Sequence, residues 1–338
     1  MKRSTLGKTA WMSAFAAFGM LVTTGSAQPA RMGGLFGDWL VKADFNGRPM
    51  ESILAFGRNA EGQTGQWISF FGVSDLKDIT FENGDLSFTW TRPNRDGGTS
   101  SSKFTGKIED GKLTGTLASD MGEMKFEGER APRMPRAVGQ WAMTTTMGDR
   151  EFTSTLVITS DRERNLSGKW ESQRGESAVT DLVVDRQDVS FKRTMKFQDR
   201  EFTSSFKGTL EGDTLAGTMT SDRGEATVKG ERIGAALIGT WNLEVSTQDF
   251  GTRPQRLRVN PDLSGYYGAM AVDKIGLNEN QISFKKTLQF GDNEFEMNFA
   301  GTIDGDKLTG EMTTSRGTQK VTGTKVVRQF RMRGGNNQ

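Results

Sequence analysis

The sequence predicts an all-β protein made of three tandem units, and three observations support this fold class. A Gly-x-Trp tripeptide recurs at intervals of roughly 100 residues, with its tryptophans at Trp39, Trp141 and Trp241. Between turn residues, apolar and polar side chains alternate with the period of two that is typical of strands, as from Phe152 to Ile158. The 42 glycines and the many threonines suit short strands joined by tight turns.

Five further landmarks follow each tryptophan in the same order, which indicates a true repeat. They are a Gly-x-aromatic (Gly65–Trp67, Gly168–Trp170, Gly265–Tyr267), a Ser-Phe pair (Ser87–Phe88, Ser190–Phe191, Ser283–Phe284), a Phe-x-Gly (Phe104–Gly106, Phe206–Gly208, Phe299–Gly301), a Leu-x-Gly (Leu113–Gly115, Leu215–Gly217, Leu308–Gly310) and a terminal base (Arg130, Arg232, Lys325). Within the middle unit, Asp149–Ser154 recurs as Asp199–Ser204, so each unit divides into two halves of four strands.

Eight short antiparallel strands per unit predict three tandem up-and-down barrels, because closing each sheet removes its exposed edges. A six-bladed propeller of four-stranded blades is the alternative, since six half-units would supply six blades. The barrels are favoured because the strong period is the full unit, and because a linker with two prolines, Arg130–Arg136, separates full units one and two.

The expected domain boundaries are a signal peptide over 1–27, barrel units over 36–130, 138–232 and 238–327, and a flexible basic tail over 328–338. Lys2, Arg3 and Lys8 precede an apolar segment, and Ser26-Ala27 supplies small residues at a cleavage point. We therefore expect a Sec-type signal peptide, a periplasmic or secreted location, and no membrane span after cleavage.

The chain contains no cysteine and no histidine, which excludes disulfides, thiolate metal sites and a Ser-His-Asp triad. Without a phosphate-binding glycine loop or a spaced calcium motif, no catalytic residue, metal ligand or cofactor is assigned. Cleavage after Ala27 would remove three of the 44 basic residues and none of the 42 acidic ones, leaving a net charge of −1. This balance predicts no nucleic-acid partner.

A Gly-x-Trp that opens the first strand, with a basic residue that ends the last, resembles the signature of the lipocalin-like (calycin) barrels. In that family the basic side chain crosses the Trp ring and helps to close one end of the barrel. The resemblance implies three closure pairs: Trp39 with Arg130, Trp141 with Arg232, and Trp241 with Lys325. It covers the ends and the strand number of each unit, and these units lack the usual helix after the barrel.

One inward position differs among the three units. Two residues after the Phe of each Ser-Phe pair stand Trp90, Arg193 and Lys286. A base on the inner face of a barrel needs an anionic partner, so Arg193 and Lys286 are candidates for binding a carboxylate or phosphate group of a ligand. The alternative is that these side chains extend to the barrel mouth or pair with a neighbouring glutamate.

The expected function is that of an exported, non-catalytic protein that binds a small apolar, amphipathic or anionic ligand, or that serves as a structural or interaction module. A carboxylate-based hydrolase or isomerase and a carbohydrate or surface adhesion module are the alternatives. Whether the chain is an enzyme stays open, although the missing histidine disfavours it. The oligomeric state cannot be derived from these patterns.

Overall fold

The structure is a computed structural model that describes residues 34–45, 48–93, 98–120, 122–161, 163–197, 200–247, 251–290 and 293–326. The predicted signal peptide and basic tail lie outside these residues. None of the described residues forms a helix of the length and apolarity needed to cross a bilayer.

The strands form two closed eight-stranded antiparallel barrels and a third sheet of nine strands. Barrel 1 contains β1 (Gly37–Phe45), β2 (Arg48–Arg58), β3 (Gln63–Ser69), β4 (Gly72–Glu82), β5 (Asp85–Pro93), β6 (Thr99–Glu109), β7 (Lys112–Ser119) and β8 (Gly122–Arg130). Barrel 2 contains β9 (Gly139–Met147), β10 (Arg150–Ser160), β11 (Leu166–Ser172), β12 (Gly175–Asp185), β13 (Asp188–Phe197), β14 (Arg200–Glu211), β15 (Thr214–Ser221) and β16 (Gly224–Arg232). The third sheet contains β17 (Gly239–Thr247), β18 (Gly251–Val259), β19 (Gly265–Tyr267), β20 (Met270–Val272), β21 (Gly276–Asn278), β22 (Gln281–Phe290), β23 (Asn293–Asp304), β24 (Lys307–Thr314) and β25 (Gly317–Lys325).

The all-β, tandem-barrel fold class is thereby confirmed, and the propeller alternative is wrong. In both closed barrels every strand pairs with its sequence neighbours, and the last strand returns to the first. That order makes each repeat of eight strands one closed sheet, whereas propeller blades would be separate four-stranded sheets.

The third sheet departs from the expected closed eight-stranded barrel at its fourth strand. β20 pairs only with β19 and β21 pairs only with β22, although just three residues separate β20 from β21. In these three residues, the Ile275 amide donates to the Leu263 carbonyl at 2.7 Å, and the Ile275 side chain is fully buried. The equivalent strands β4 and β12 only shift register, between Lys77 and Thr80 and between Thr180 and Val183. A bulge in barrels 1 and 2 has thus become a break in the third unit.

Pairs of glycines explain the Phe-x-Gly and Leu-x-Gly landmarks. Gly106 lies directly opposite Gly115, and the same pairing recurs in barrel 2 and in the third sheet. A Cβ at Gly115 would lie 2.6 Å from the Thr105 carbonyl oxygen and would also meet the Phe104 ring. The glycines therefore make room for a phenylalanine that packs over them inside the barrel.

Aromatic side chains fill the interior of each unit. Phe88 stacks on Phe104 at 4.6 Å between ring centroids, and Phe191 stacks on Phe206 at 4.7 Å. In the third sheet, Phe284 stacks on Phe299 at 5.0 Å. The phenylalanines of the Ser-Phe and Phe-x-Gly landmarks therefore stack on each other in the core of each unit, which is one of the arrangements that aromatic pairs favour.

Barrel 1 packs against the third sheet through charged and polar contacts. The Asp38 carboxylate accepts hydrogen bonds from Arg256 at 3.0 Å and from Arg258 at 2.5 Å. The Gln255 side-chain amide donates to the carbonyls of Ser69 and Phe70, each at 3.1 Å. These charged and polar contacts join positions far apart in the chain.

Apolar contacts complete this interface. Ile53 and Ile68 of barrel 1 form a small buried cluster with Ala269, against which Tyr266 packs. Phe70, in the β3–β4 turn, packs against the core of the third sheet. The neighbouring Phe71 is 66% exposed and meets the Phe70 ring edge-on.

Candidate functional site

The structure places each basic residue of the three closure pairs opposite its tryptophan. Arg130 lies across from Trp39, Arg232 from Trp141 and Lys325 from Trp241 in the ladders between first and last strands. The distances from cation to ring centroid are 4.8, 4.1 and 5.7 Å respectively, within the range of a cation–π contact.

Each closure pair also holds the segment that precedes the first strand. The indole N–H groups of Trp39, Trp141 and Trp241 donate to the carbonyl four residues earlier, at 2.8 to 3.0 Å. Arg232 donates to the carbonyls of Val138 at 2.5 Å and Arg136 at 2.6 Å, and to the Asp213 carboxylate at 2.8 Å. The hydrogen bonds of the basic side chain are therefore made to other groups of the fold, so the closure pair has a structural role.

The three residues of the variable inward position lie in three separate sheets. Trp90 stacks on Trp67 with ring centroids 4.5 Å apart and planes inclined by 14°. The guanidinium carbon of Arg193 lies 5.0 Å from the Trp170 ring centroid. Lys286 is half-buried at the matching place on β22, opposite Met297. In barrels 1 and 2 the variable residue therefore covers the aromatic ring of the Gly-x-aromatic landmark.

Arg193 is poorly satisfied in its hydrogen bonding, as is Trp90, whose indole N–H is buried without a partner. One terminal nitrogen of Arg193 donates weakly to the Ser177 hydroxyl at 3.4 Å, and the same nitrogen is 3.9 Å from the Met195 sulfur. Its Nε is buried without a hydrogen-bond partner. In the described part of the chain, no carboxylate comes within 4.0 Å of its guanidinium. Burial, followed by repulsion from Arg174, lowers the pKa of Arg193.

The rim of barrel 2 near Arg193 combines exposed apolar side chains with further cations. Met147 and Phe152 flank the β9–β10 turn and are 42% and 46% exposed. Arg223, in the β15–β16 turn, lies 4.6 Å from the ring centroid of Phe202. Because alternate turns of an up-and-down barrel share one end, these side chains and Arg174 surround the end to which Arg193 is closest.

The barrel interior beyond Arg193 is filled. Trp170, Phe191 and Phe206 are each at most 2% exposed. A ligand that met Arg193 would therefore lie at the rim, and a deep calyx is not available to it. No group of three or more Asp and Glu side chains within the described ranges is arranged to hold a metal ion.

Ser177 and Arg174 were not singled out by the sequence patterns. Ser177 is 4% exposed and stands two residues before Val179 on the inward face of β12. This spacing of two from an inward apolar residue is the sequence signal that could have identified Ser177 as an inward side chain. Arg174 lies in a turn, where an arginine carries no pattern of its own. The proximity of both residues to Arg193 depends on strand register, which the sequence does not display.

No protein-family model matches the sequence, and the search of curated proteins also finds no match. Among solved structures, the chain is similar to a candidate outer membrane protein of Bacteroides fragilis, at 14% identity over 58% of this chain and 97% of that one, with a TM-score of 0.24. It is also similar to transferrin binding protein B of Haemophilus parasuis, at 10% identity over 86% and 76% of the two chains, with a TM-score of 0.20. A protein of unknown function from the DUF3598 family of Nostoc punctiforme shares 12% identity over 87% and 97%, with a TM-score of 0.18. At these values the similarities support no functional argument.

Proposed function

We propose that the chain is an exported, non-catalytic binding protein whose second barrel takes an anionic amphipathic small molecule at its rim. The observation that carries the proposal is the half-buried Arg193 guanidinium, which has a donor without an acceptor and no described carboxylate beside it. A cation removed from water needs an anionic or acceptor partner, because desolvation otherwise remains uncompensated.

The Trp170 ring supplies one part of the recognition. The guanidinium carbon lies 5.0 Å from the centroid of this ring, so the indole covers one side of the cation. A carboxylate, sulfonate or phosphate oxygen would complete the hydrogen bonding of Arg193 and would be attracted by the nearby Arg174. The head of the ligand is therefore an oxyanion.

The exposed rim supplies the second part. Met147 and Phe152 remain accessible at the same end of the barrel, and both offer apolar surface. Methionine adapts to irregular apolar partners, and phenylalanine buries a large area. An alkyl or aromatic tail lying on this rim would shield both side chains from water.

Barrel 2 is a better candidate than the other two units. The variable residue of barrel 1 is the neutral Trp90, whose ring is already stacked on Trp67. The core of the third sheet is covered in part by Phe70 from barrel 1. The proposal therefore assigns the site to Arg193, while Trp90 and Lys286 stay predictions from sequence.

The test is titration with an anionic fluorescent amphiphile, 1-anilinonaphthalene-8-sulfonate, followed by displacement with laurate. We expect Arg193→Gln to weaken binding roughly tenfold or more, since a hydrogen bond to a charged group contributes about 1.5–3 kcal/mol. The matched control is Arg186→Asn, which removes an exposed arginine from a turn at the opposite end of the same barrel. Asparagine suits the positive φ of 55° at this position.

Equal affinities for the unmodified chain and Arg193→Gln would contradict the proposal. So would an equal loss in Arg193→Gln and Arg186→Asn, because that result would report only net charge. Uncharged dodecanol serves as a further probe. If dodecanol displaces the dye as strongly as laurate does, the anionic group of the ligand has no role in binding.

A further inference from the structure

A groove of about 830 Å³ lies on the outer wall of the third sheet, away from the rim of barrel 2. Its walls come from β21 to β25, and the outward side chains that line it are exposed. Most of these side chains carry a hydroxyl or amide group or are very small, and one carboxylate and one ammonium are also present. They are Asn278, Gln281, Ser283, Ala300, Thr302, Thr309, Glu311, Lys320 and Thr322.

The charges in the groove balance. Glu311 on β24 lies directly opposite Lys320 on β25. The other outward lining residues are neutral, and Thr302 and Thr309 lie directly opposite each other on paired strands. The groove therefore offers many hydrogen-bond donors and acceptors with no net charge.

The same wall is more charged in barrels 1 and 2. The paired glycines align the three units, and the residues that flank the first glycine are Thr105 and Lys107 in barrel 1, Lys207 and Thr209 in barrel 2, and Ala300 and Thr302 in the third sheet. Each closed barrel thus carries a lysine where the third sheet has Ala300 or Thr302. Loss of these long side chains leaves the floor of the groove uncovered.

We propose that this groove binds a neutral oligosaccharide. A polyol needs a surface that both donates and accepts hydrogen bonds, and charged groups along the wall would cost desolvation without a partner. The groove crosses β22 to β25, which at the usual strand spacing corresponds to roughly 14 Å, so it suits a chain of sugars better than a single ring. This site is independent of the anion site at Arg193.

The test is isothermal titration of the full chain with three neutral hexasaccharides: chitohexaose, maltohexaose and laminarihexaose. We expect at least one of them to bind. Ala300→Lys and Thr302→Lys, which introduce the lysines of barrels 2 and 1, should each weaken that binding at least tenfold. These lysines are native to the equivalent positions of closed barrels, so we expect an unchanged thermal unfolding midpoint.

The matched control is Thr209→Lys, the same change on the equivalent wall of barrel 2, which should leave the affinity unchanged. Thr302→Val tests the hydroxyl without adding bulk and should weaken binding measurably even if a lysine variant folds poorly. Absence of binding by all three sugars at millimolar concentration would overturn the proposal. Binding that survives Ala300→Lys and Thr302→Val, or that Thr209→Lys weakens equally, would overturn it as well.

Discussion

At the scale of single residues, the terminal base of each unit does more than cover an indole ring. Arg232 lies 4.1 Å from the Trp141 ring centroid and also donates to two backbone carbonyls and to Asp213. Within the described residues, Lys325, its counterpart in the third sheet, donates to the carbonyls of Ala235 and Ala236. The planar guanidinium can donate hydrogen bonds to several acceptors at once, whereas an ammonium is a single charged centre.

This difference predicts the stability of two variants of barrel 2. We expect Arg232→Met to lower the free energy of unfolding by about 2 kcal/mol, because it removes a cation–π contact and charge-assisted hydrogen bonds. Arg232→Lys, which imitates the third sheet, should lose about half as much. Urea unfolding of both variants provides the measurement, and equal losses in the two would contradict this role of the guanidinium.

At the scale of elements, the paired glycines leave the space that a core phenylalanine ring occupies. Gly106 and Gly115 face each other across β6 and β7, and the Phe104 ring occupies the space that their missing side chains leave. The sequence shows these glycines as a repeated landmark. Only strand pairing reveals that the two landmarks of each unit are in direct contact.

Gly115→Ala tests this arrangement. Its Cβ would lie 2.6 Å from the Thr105 carbonyl oxygen and 2.8 Å from the Gly106 Cα, and neither backbone atom can move freely. We expect a loss of unfolding free energy of about 1–3 kcal/mol, which is typical of overpacking. Thr114→Ala, on the exposed face of the same strand, is the control and should change the urea midpoint little; a neutral Gly115→Ala would refute the steric account.

At the scale of the whole molecule, barrel 1 and the third sheet meet through ion pairs between Asp38 and two arginines. Asp38 stands immediately before the Trp of its Gly-x-Trp, where the other units have Gln140 and Thr240. It faces Arg256 and Arg258 of the third sheet. Burial by itself would raise the pKa of Asp38, but the two guanidiniums overcome that effect and hold the pKa below its ordinary value of 3.8.

The pH dependence of stability follows from this lowered pKa. A carboxyl whose pKa is lower in the folded state contributes stability above its unfolded value, and that contribution is lost as the pH falls through the folded value. We expect Asp38→Asn to cost about 3 kcal/mol at pH 7, because Arg256 would stay buried without its counter-ion. The difference from the unmodified chain should shrink below about pH 3.8.

Urea unfolding between pH 2.5 and pH 7 provides the measurement for Asp38→Asn. The exposed Asp85 of the same barrel supplies the control variant Asp85→Asn, which should follow the unmodified chain at every pH. A cost of Asp38→Asn that stays constant over the whole pH range would contradict a contribution from the ionised carboxylate.

The sequence by itself determined the all-β tandem architecture and the eight strands of barrels 1 and 2, because alternation and turn residues are local features that each segment carries in its own order. The Gly-x-Trp spacing and the terminal bases could be recognised in the sequence for the same reason. The placement of Arg193 over Trp170 could not be predicted, because it depends on the registers of three neighbouring strands, β11, β12 and β13.

Only the tertiary structure decided the divided fourth strand of the third unit, the contact of Asp38 with Arg256, and the groove beside Thr302. Each of these depends on how strands pair and pack, which local sequence patterns do not display. Ile275 shows this most directly, since its amide finds a partner at Leu263 instead of continuing the ladder. Local patterns specify which residues can form strands, and long-range packing selects which of those strands remain continuous.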